Sequence, residues 1–112
     1  MKEENALTCI QALSNATRLR ILRTLVAAGP EGMTAGEIAD AVEATPSRAS
    51  FHLSALAQTG LVRSTKAARS VIYAVDLMTV GGLVQFLLED CCANHPTVLS
   101  CCKLGAPQTP CS

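Results

Sequence analysis

Cys91-Cys92 and Cys101-Cys102 are the residues of this 112-residue sequence best placed to do chemistry. The two adjacent pairs are separated by eight residues and concentrate four thiols in one short stretch. Thiolates are soft ligands, and sites built from them select soft or borderline ions. Adjacent cysteines do not easily form a regular tetrahedral clamp. They can supply two edges of the three-sulfur pyramid that trivalent arsenic or antimony takes, and a third sulfur then comes from Cys101 or Cys102. Loop closure of this kind is cheap, because each doubling of length adds only about 0.6 kcal/mol. The same thiols also suit a structural zinc ion or a redox-switching disulfide, and an inert tail is the remaining reading. Cys9 reads as a small buried core residue, Cys111 as a spare thiol and His95 as a solvated side chain. No Cys-x₅-Arg phosphate loop and no nucleophile paired with a base occur in the sequence, so it is not expected to be an enzyme. Nor does it suggest an organic cofactor.

A second group of residues points to nucleic acid. The formal net charge is zero, but the charges are partitioned. Residues 1–43 carry 4 basic and 6 acidic side chains, and residues 76–112 carry 1 and 3. Between them, residues 44–75 hold Arg48, Arg63, Lys66 and Arg69 and no acid. For a nucleic-acid partner, distribution matters more than the sum. Ser47, Arg48, Ser50, Phe51 and Ser54 fall on the polar side of a helical pattern. Arg48 can hold guanine bidentately or a phosphate, and Phe51 can meet a thymine methyl group. Lys66 and Arg69 are placed for phosphates or the minor groove. Two plainer readings stand beside these: His52 as a packed, hydrogen-bonded histidine, and Phe51 as an aromatic covered by the neighbouring hairpin.

These residues need elements to position them. One domain is expected, and its 49% hydrophobic but 3% aromatic composition favours a core of packed aliphatic helices. A first helix spans 5–13, with Ala6, Ile10 and Leu13 on one face. A second begins at Asn15, places Leu19, Leu22, Leu25 and Val26 at helical spacing, and stops at Gly29-Pro30. Thr34 and Glu37 form a capping box for a third helix, whose inner stripe is Ala35, Ile38, Ala39 and Val42. Thr45 caps a fourth helix with Pro46 at its first position. That helix turns Ala49, Leu53 and Leu56 inward and ends before Gly60. Two short helices joined by a tight turn, the second polar outside, make a helix-turn-helix.

From residue 61 the period changes from 3.6 to 2. Leu61–Thr65 and Ser70–Val75 predict a hairpin with Lys66–Arg69 at its tip. The fold class is therefore mainly α with a β-hairpin, a winged helix-turn-helix. A last helix runs from about Thr79 through Cys92, and its broad apolar face of Val80, Leu83, Val84, Leu87 and Leu88 requires a partner. The division expected is a winged-helix and dimerisation domain over 1–92 and an irregular cysteine-containing tail over 93–112. No apolar run approaches the roughly 20 residues of a membrane helix, and the polar start Met1–Asn5 is no secretory signal. A cytoplasmic protein with reduced thiols and no membrane partner is expected.

The sequence resembles the arsenic-repressor (ArsR/SmtB) family over roughly residues 7–92. The resemblance is carried by Leu13-Ser14-Asn15-Ala16-Thr17-Arg18-Leu19-Arg20-Ile21-Leu22, by Ser50-Phe51-His52-Leu53-Ser54-Ala55-Leu56, by Gly60-Leu61-Val62, and by Arg69 and Tyr73. It departs from the family at Phe51, where a basic residue is common, and at Ala67-Ala68, where the wing often has glycine. The resemblance implies a homodimer joined through the first and last helices. It also implies repression at double-stranded operator DNA, relieved by a metal or metalloid. The stretch Gly36–Asp40 lacks the Cys-x-Cys pair of many members, and Thr79–Leu88 lacks the histidine of zinc sensors. What remains is similar to the arsenite-responsive branch with sulfurs at the end of the last helix. The implied inducer is As(III) or Sb(III), held by Cys91, Cys92 and one of Cys101 or Cys102.

Overall fold

The computed structural model describes residues 1–102. Helix α1 (Glu3–Leu13) is followed by α2 (Ala16–Ala28) and a short 3₁₀ turn, Gly29–Glu31. Strand β1 (Met33–Thr34), helices α3 (Ala35–Ala41) and α4 (Pro46–Thr59), and strands β2 (Val62–Ala67) and β3 (Ser70–Val75) come next. Helix α5 (Leu77–Phe86) runs on into a π-helical turn, Leu87–Cys91, and α6 (Pro96–Cys101) closes the described chain. This is the expected winged helix-turn-helix.

The capping residues set the boundaries. The Asn15 side chain accepts from the Arg18 N–H, so α2 starts there. Thr34 and Glu37 make both bonds of the capping box, with Glu37 Oε1 accepting from the Thr34 N–H at 2.9 Å. Thr45 accepts from the Arg48 N–H, and Pro46 loses no helical bond because its position has none to make. Gly60 ends α4 in the left-handed conformation at φ 83°. Asp76, which was not read as a cap, accepts from the N–H groups of Met78 and Thr79 and starts α5 at Leu77, two residues earlier than expected.

The buried core joins Ala6, Cys9 and Ala12 of α1 to Ile21, Leu22 and Leu25 of α2, Ile38 and Val42, Leu53 and Leu56 of α4, and Leu61, Val62 and Leu83. The inner stripes expected for α3 and α4 are observed, although Ala35 is only half-buried. Those for α1 and α2 are rotated. Ile10, Leu19 and Val26 lie on the surface, while the smaller Ala6, Cys9 and Ala12 and the β-branched Ile21 face inward. Small residues on the inner face of α1 suit close approach to α4, and α1 packs on α2, α4 and α5.

The hairpin pairs Val62 with Val75 through to Ala67 with Ser70, leaving Ala68-Arg69 as its tip. Ala68 adopts φ 55°, the left-handed conformation that a glycine would supply without penalty. A third strand was not expected. Met33 and Thr34 pair antiparallel with Tyr73 and Ile72, tying the helix-turn-helix to the wing.

The tail also departs from expectation. The last helix does not stay α-helical to Cys92, because the Cys92 N–H reaches back five residues to the Leu87 carbonyl at 3.0 Å. Ala93 and Asn94 then take positive φ angles of 49° and 54°, and Asn94 donates to the Leu88 carbonyl at 2.7 Å. Pro96–Cys101 is helical rather than irregular, with Pro96 at its first turn and the His95 side chain accepting from the Thr97 N–H. Cys111 lies outside the described residues.

Candidate nucleic-acid interface and thiol cluster

Helix α4 presents its polar side to solvent. Ser47, Arg48, Ser50, Phe51 and Ser54 are all exposed, while Ala49, Leu53 and Leu56 are buried beneath them. This is the face inferred from helical periodicity. Phe51 is 65% exposed, so the wing does not cover it. Its ring instead stands edge-on to His52, with centroids 5.5 Å apart. The Arg18 guanidinium lies 5.8 Å from the ring centroid. A cation over an aromatic face contributes roughly 0.5–1 kcal/mol at exposed sites.

Arg18 has a role that charge counts and helical periodicity do not reveal. From α2 it donates Nε–H to His52 Nδ1 at 3.1 Å, fixing the first helix of the motif to the recognition helix. His52 is half-buried, as the plainer reading of that residue holds. Burial holds its pKa below the ordinary histidine value, and the charges of Arg18 and Arg48 lower it further. The neutral ring can accept from Arg18; a protonated one could not. A signal for Arg18 was present, since residues 5–30 contain three arginines and no acid. Counting charges over the longer stretch 1–43 concealed it.

The wing is exposed along most of β2 and at its tip, including Lys66 and Arg69. Arg63 belongs to the same acid-free stretch but is engaged otherwise. It donates to Asp76 Oδ2 through Nε at 2.9 Å and Nη2 at 2.8 Å. Burial opposes ionisation of Asp76, but the hydrogen bond from Arg63, the backbone bond from Thr79 and the Arg63 charge outweigh it and lower the pKa. Arg63 therefore locks the base of the wing to the start of α5, leaving Arg48, Lys66 and Arg69 as the outward cations of the stretch.

A helix-turn-helix domain family matches residues 13–65. The transcriptional activator HlyU of Vibrio cholerae is 30% identical over 82 residues, 73% of each chain. An ArsR-like transcriptional regulator from Rhodococcus superposes with a TM-score of 0.70 at 26% identity, covering 95% of this chain and 96% of its own. The chain belongs to the ArsR family of winged helix-turn-helix transcriptional regulators. Within that family it is also similar to a domain from Mycobacterium bovis described as a homodimeric winged helix-turn-helix DNA-binding domain. That match has a TM-score of 0.62 at 28% identity, over 82% of this chain and 85% of the other.

In this ArsR-family chain the cysteines divide into distinct environments. Cys9 is buried in the core as expected, with Sγ 3.8 Å from the Thr59 carbonyl, and burial raises its pKa. Cys91 and Cys102 are exposed free thiols, and Cys92 is a half-buried one. Cys101 is disulfide-bonded. The Cys92 thiol is pushed above its ordinary value by a hydrogen bond with Cys91, then by burial and by the neighbouring charges of Cys91 and Cys102. The reversal at Ala93-Asn94 thus brings Cys102 within electrostatic reach of Cys92. Among the described residues, no three Cys, His, Asp or Glu side chains are close enough to hold a metal ion as they stand. His95 is committed to capping α6. No helix among them is long and apolar enough to cross a membrane.

Proposed function

We propose that the protein is a homodimeric cytoplasmic repressor that binds double-stranded operator DNA and releases it when As(III) or Sb(III) binds its C-terminal thiolates. The observation that supports this reading is the exposure of the recognition helix and wing in an ArsR-family chain that carries thiols at Cys91 and Cys92, at the end of the π-helical turn, and at Cys102, at the end of α6; to hold an ion these thiols must be drawn together. Ser47, Ser50, Phe51 and Ser54 meet base edges from the major groove, with Arg48, Lys66 and Arg69 on the duplex beside them. The Mycobacterium bovis relative is described as homodimeric. Here Leu7 and Ile10 of α1 and Leu87 at the end of α5 are exposed apolar residues lining one groove of about 830 Å³. Its burial by a second copy accounts for the apolar face that the small core leaves uncovered.

Cys91 lines that same groove, which gives the sulfurs a route to the DNA. A ligand that binds one arrangement of the dimer better shifts the population toward it. Drawing Cys101 or Cys102 toward Cys91 and Cys92 changes the edge of the dimer face. The spacing of two recognition helices must match half-sites about one helical turn apart, so a small change costs affinity. Soft trivalent ions suit three thiolates; Cys102 is a free thiol as the structure stands, and Cys101 becomes an alternative third donor once its disulfide is reduced.

The disulfide at Cys101 favours a second reading, a repressor switched by thiol oxidation. One experiment separates the two. Operator fragments selected from genomic DNA are bound to the reduced protein, which is then titrated with arsenite under reductant and, separately, with oxidant alone. Release by arsenite with three thiols consumed per chain supports the metalloid reading. Release by oxidant with no response to arsenite replaces it with the redox reading.

A further inference from the structure

We infer that the cleft between the start of α2 and the first two turns of α4 is a seat for a DNA backbone phosphate, held by Arg20 and Arg48. The inference rests on the DNA-binding reading above and deepens it. The cleft has a volume of about 250 Å³ and is lined by Asn15, Thr17 and Arg20 from α2, by Arg48 and His52 from α4, and by the α3–α4 turn containing Glu43.

Two arginines line it from different helices. Neither Arg20 nor Arg48 has an ion pair or a side-chain hydrogen bond among the described residues, whereas Arg18 and Arg63 both do. Guanidinium is charged at every relevant pH and presents a planar fork that matches phosphate oxygens. Thr17, also in the lining, offers a hydroxyl as a further donor. His52 turns Nδ1 to Arg18, so its ring does not compete for Arg20 or Arg48.

The position of the cleft identifies the ligand. Arg48 belongs both to its wall and to the exposed side of α4, so the cleft opens beside the face that meets base edges. Contacts to phosphates fix register and orientation, while base contacts carry sequence. Arg48 is thereby assigned to the backbone, and Ser47, Ser50, Phe51 and Ser54 are left to read bases. Glu43 is the one acid lining the cleft, and its charge opposes the anion.

The test is equilibrium binding of the full reduced chain to an operator duplex and to a random-sequence duplex over a range of salt concentrations. Each phosphate contact contributes about 0.9 to the slope of log K against log salt, so losing one per protomer of a two-fold dimer lowers the slope by about 1.8. Arg20→Gln is expected to lower it by that amount and to weaken both duplexes by the same factor. Arg23→Gln, on the same helix but outside the cleft, is expected to keep the wild-type slope, and Glu43→Gln to tighten both complexes. An unchanged slope for Arg20→Gln, an equal fall for Arg23→Gln, or a loss confined to the operator overturns the assignment while leaving DNA binding intact. Failure of the wild type to bind either duplex overturns both. Unchanged thermal melts of the variants exclude misfolding, as expected for arginines at exposed positions.

Discussion

Gly32 sits where the helix-turn-helix meets the wing, at φ 71°, and a Cβ there would lie 2.4 Å from the Tyr73 carbonyl oxygen. Both the backbone conformation and the close approach of β3 require glycine. Gly32→Ala is therefore expected to destabilise the fold by roughly 2–4 kcal/mol, combining left-handed strain with steric overlap, as read from denaturant unfolding. The thiols give a second prediction at this scale. Thiolates rather than thiols are alkylated, so an exposed Cys91 or Cys102 should react with iodoacetamide well before Cys9. Peptide mapping of the native protein checks that order, and prompt labelling of Cys9 would mean that α1 opens readily. The burial of Cys9 was legible from its place in an apolar helix. The Arg18–His52–Phe51 cluster was not, because it depends on how two helices cross, which neither helix's own periodicity specifies.

At the scale of elements, the sequence was most informative where a side chain acts on its own backbone. Asn15, Thr34 with Glu37, and Thr45 with Pro46 each start a helix where such residues are expected to. Strand β1 is two residues long and exists only because β3 offers it an edge, so it leaves no pattern of its own. The π-helical turn is equally silent in the sequence, and the positive φ angles at Ala93-Asn94 give no warning in residue type at Ala93. The tether between α2 and α4 makes a pH prediction. His52 has a lowered pKa when folded, facing Arg18 from α2, Arg48 on its own helix, and the cleft containing Arg20 and Glu43. The unfolded chain therefore takes up the proton first. The stability that His52 contributes is complete above its ordinary value of 6.5 and is lost as pH falls through the lower folded value. His52→Gln keeps an acceptor for Arg18 without titrating, and it should flatten this part of the acid limb in denaturant titrations carried downward from neutral pH. An acid limb as steep as the wild type's would assign it to other groups.

For the whole molecule, a net charge of zero conceals an uneven distribution, and the folded chain sharpens it. Arg63 is withdrawn from the acid-free stretch by Asp76, while Arg18 and Arg20 of α2 are added beside the recognition helix. The apolar surface is uneven too. Leu7, Ile10, Val84 and Leu87 remain exposed on α1 and at the end of α5, the two elements through which a dimer is proposed. Leu7→Glu should shift the protein to monomer in sedimentation equilibrium. It should also weaken operator binding at least tenfold, because a monomer engages one half-site instead of two. A Leu7→Glu chain that stays dimeric would move the interface elsewhere.

The central claim joins the two ends of the molecule, thiols at one and DNA at the other. Fluorescence anisotropy of operator DNA bound to reduced protein, titrated with arsenite, tests it most directly when wild type and Cys91→Ser are compared. The account predicts that arsenite releases the wild-type protein and that Cys91→Ser stays bound at concentrations that empty the wild type. Release of Cys91→Ser at the same arsenite concentration as wild type, or a wild-type complex indifferent to arsenite, would contradict it.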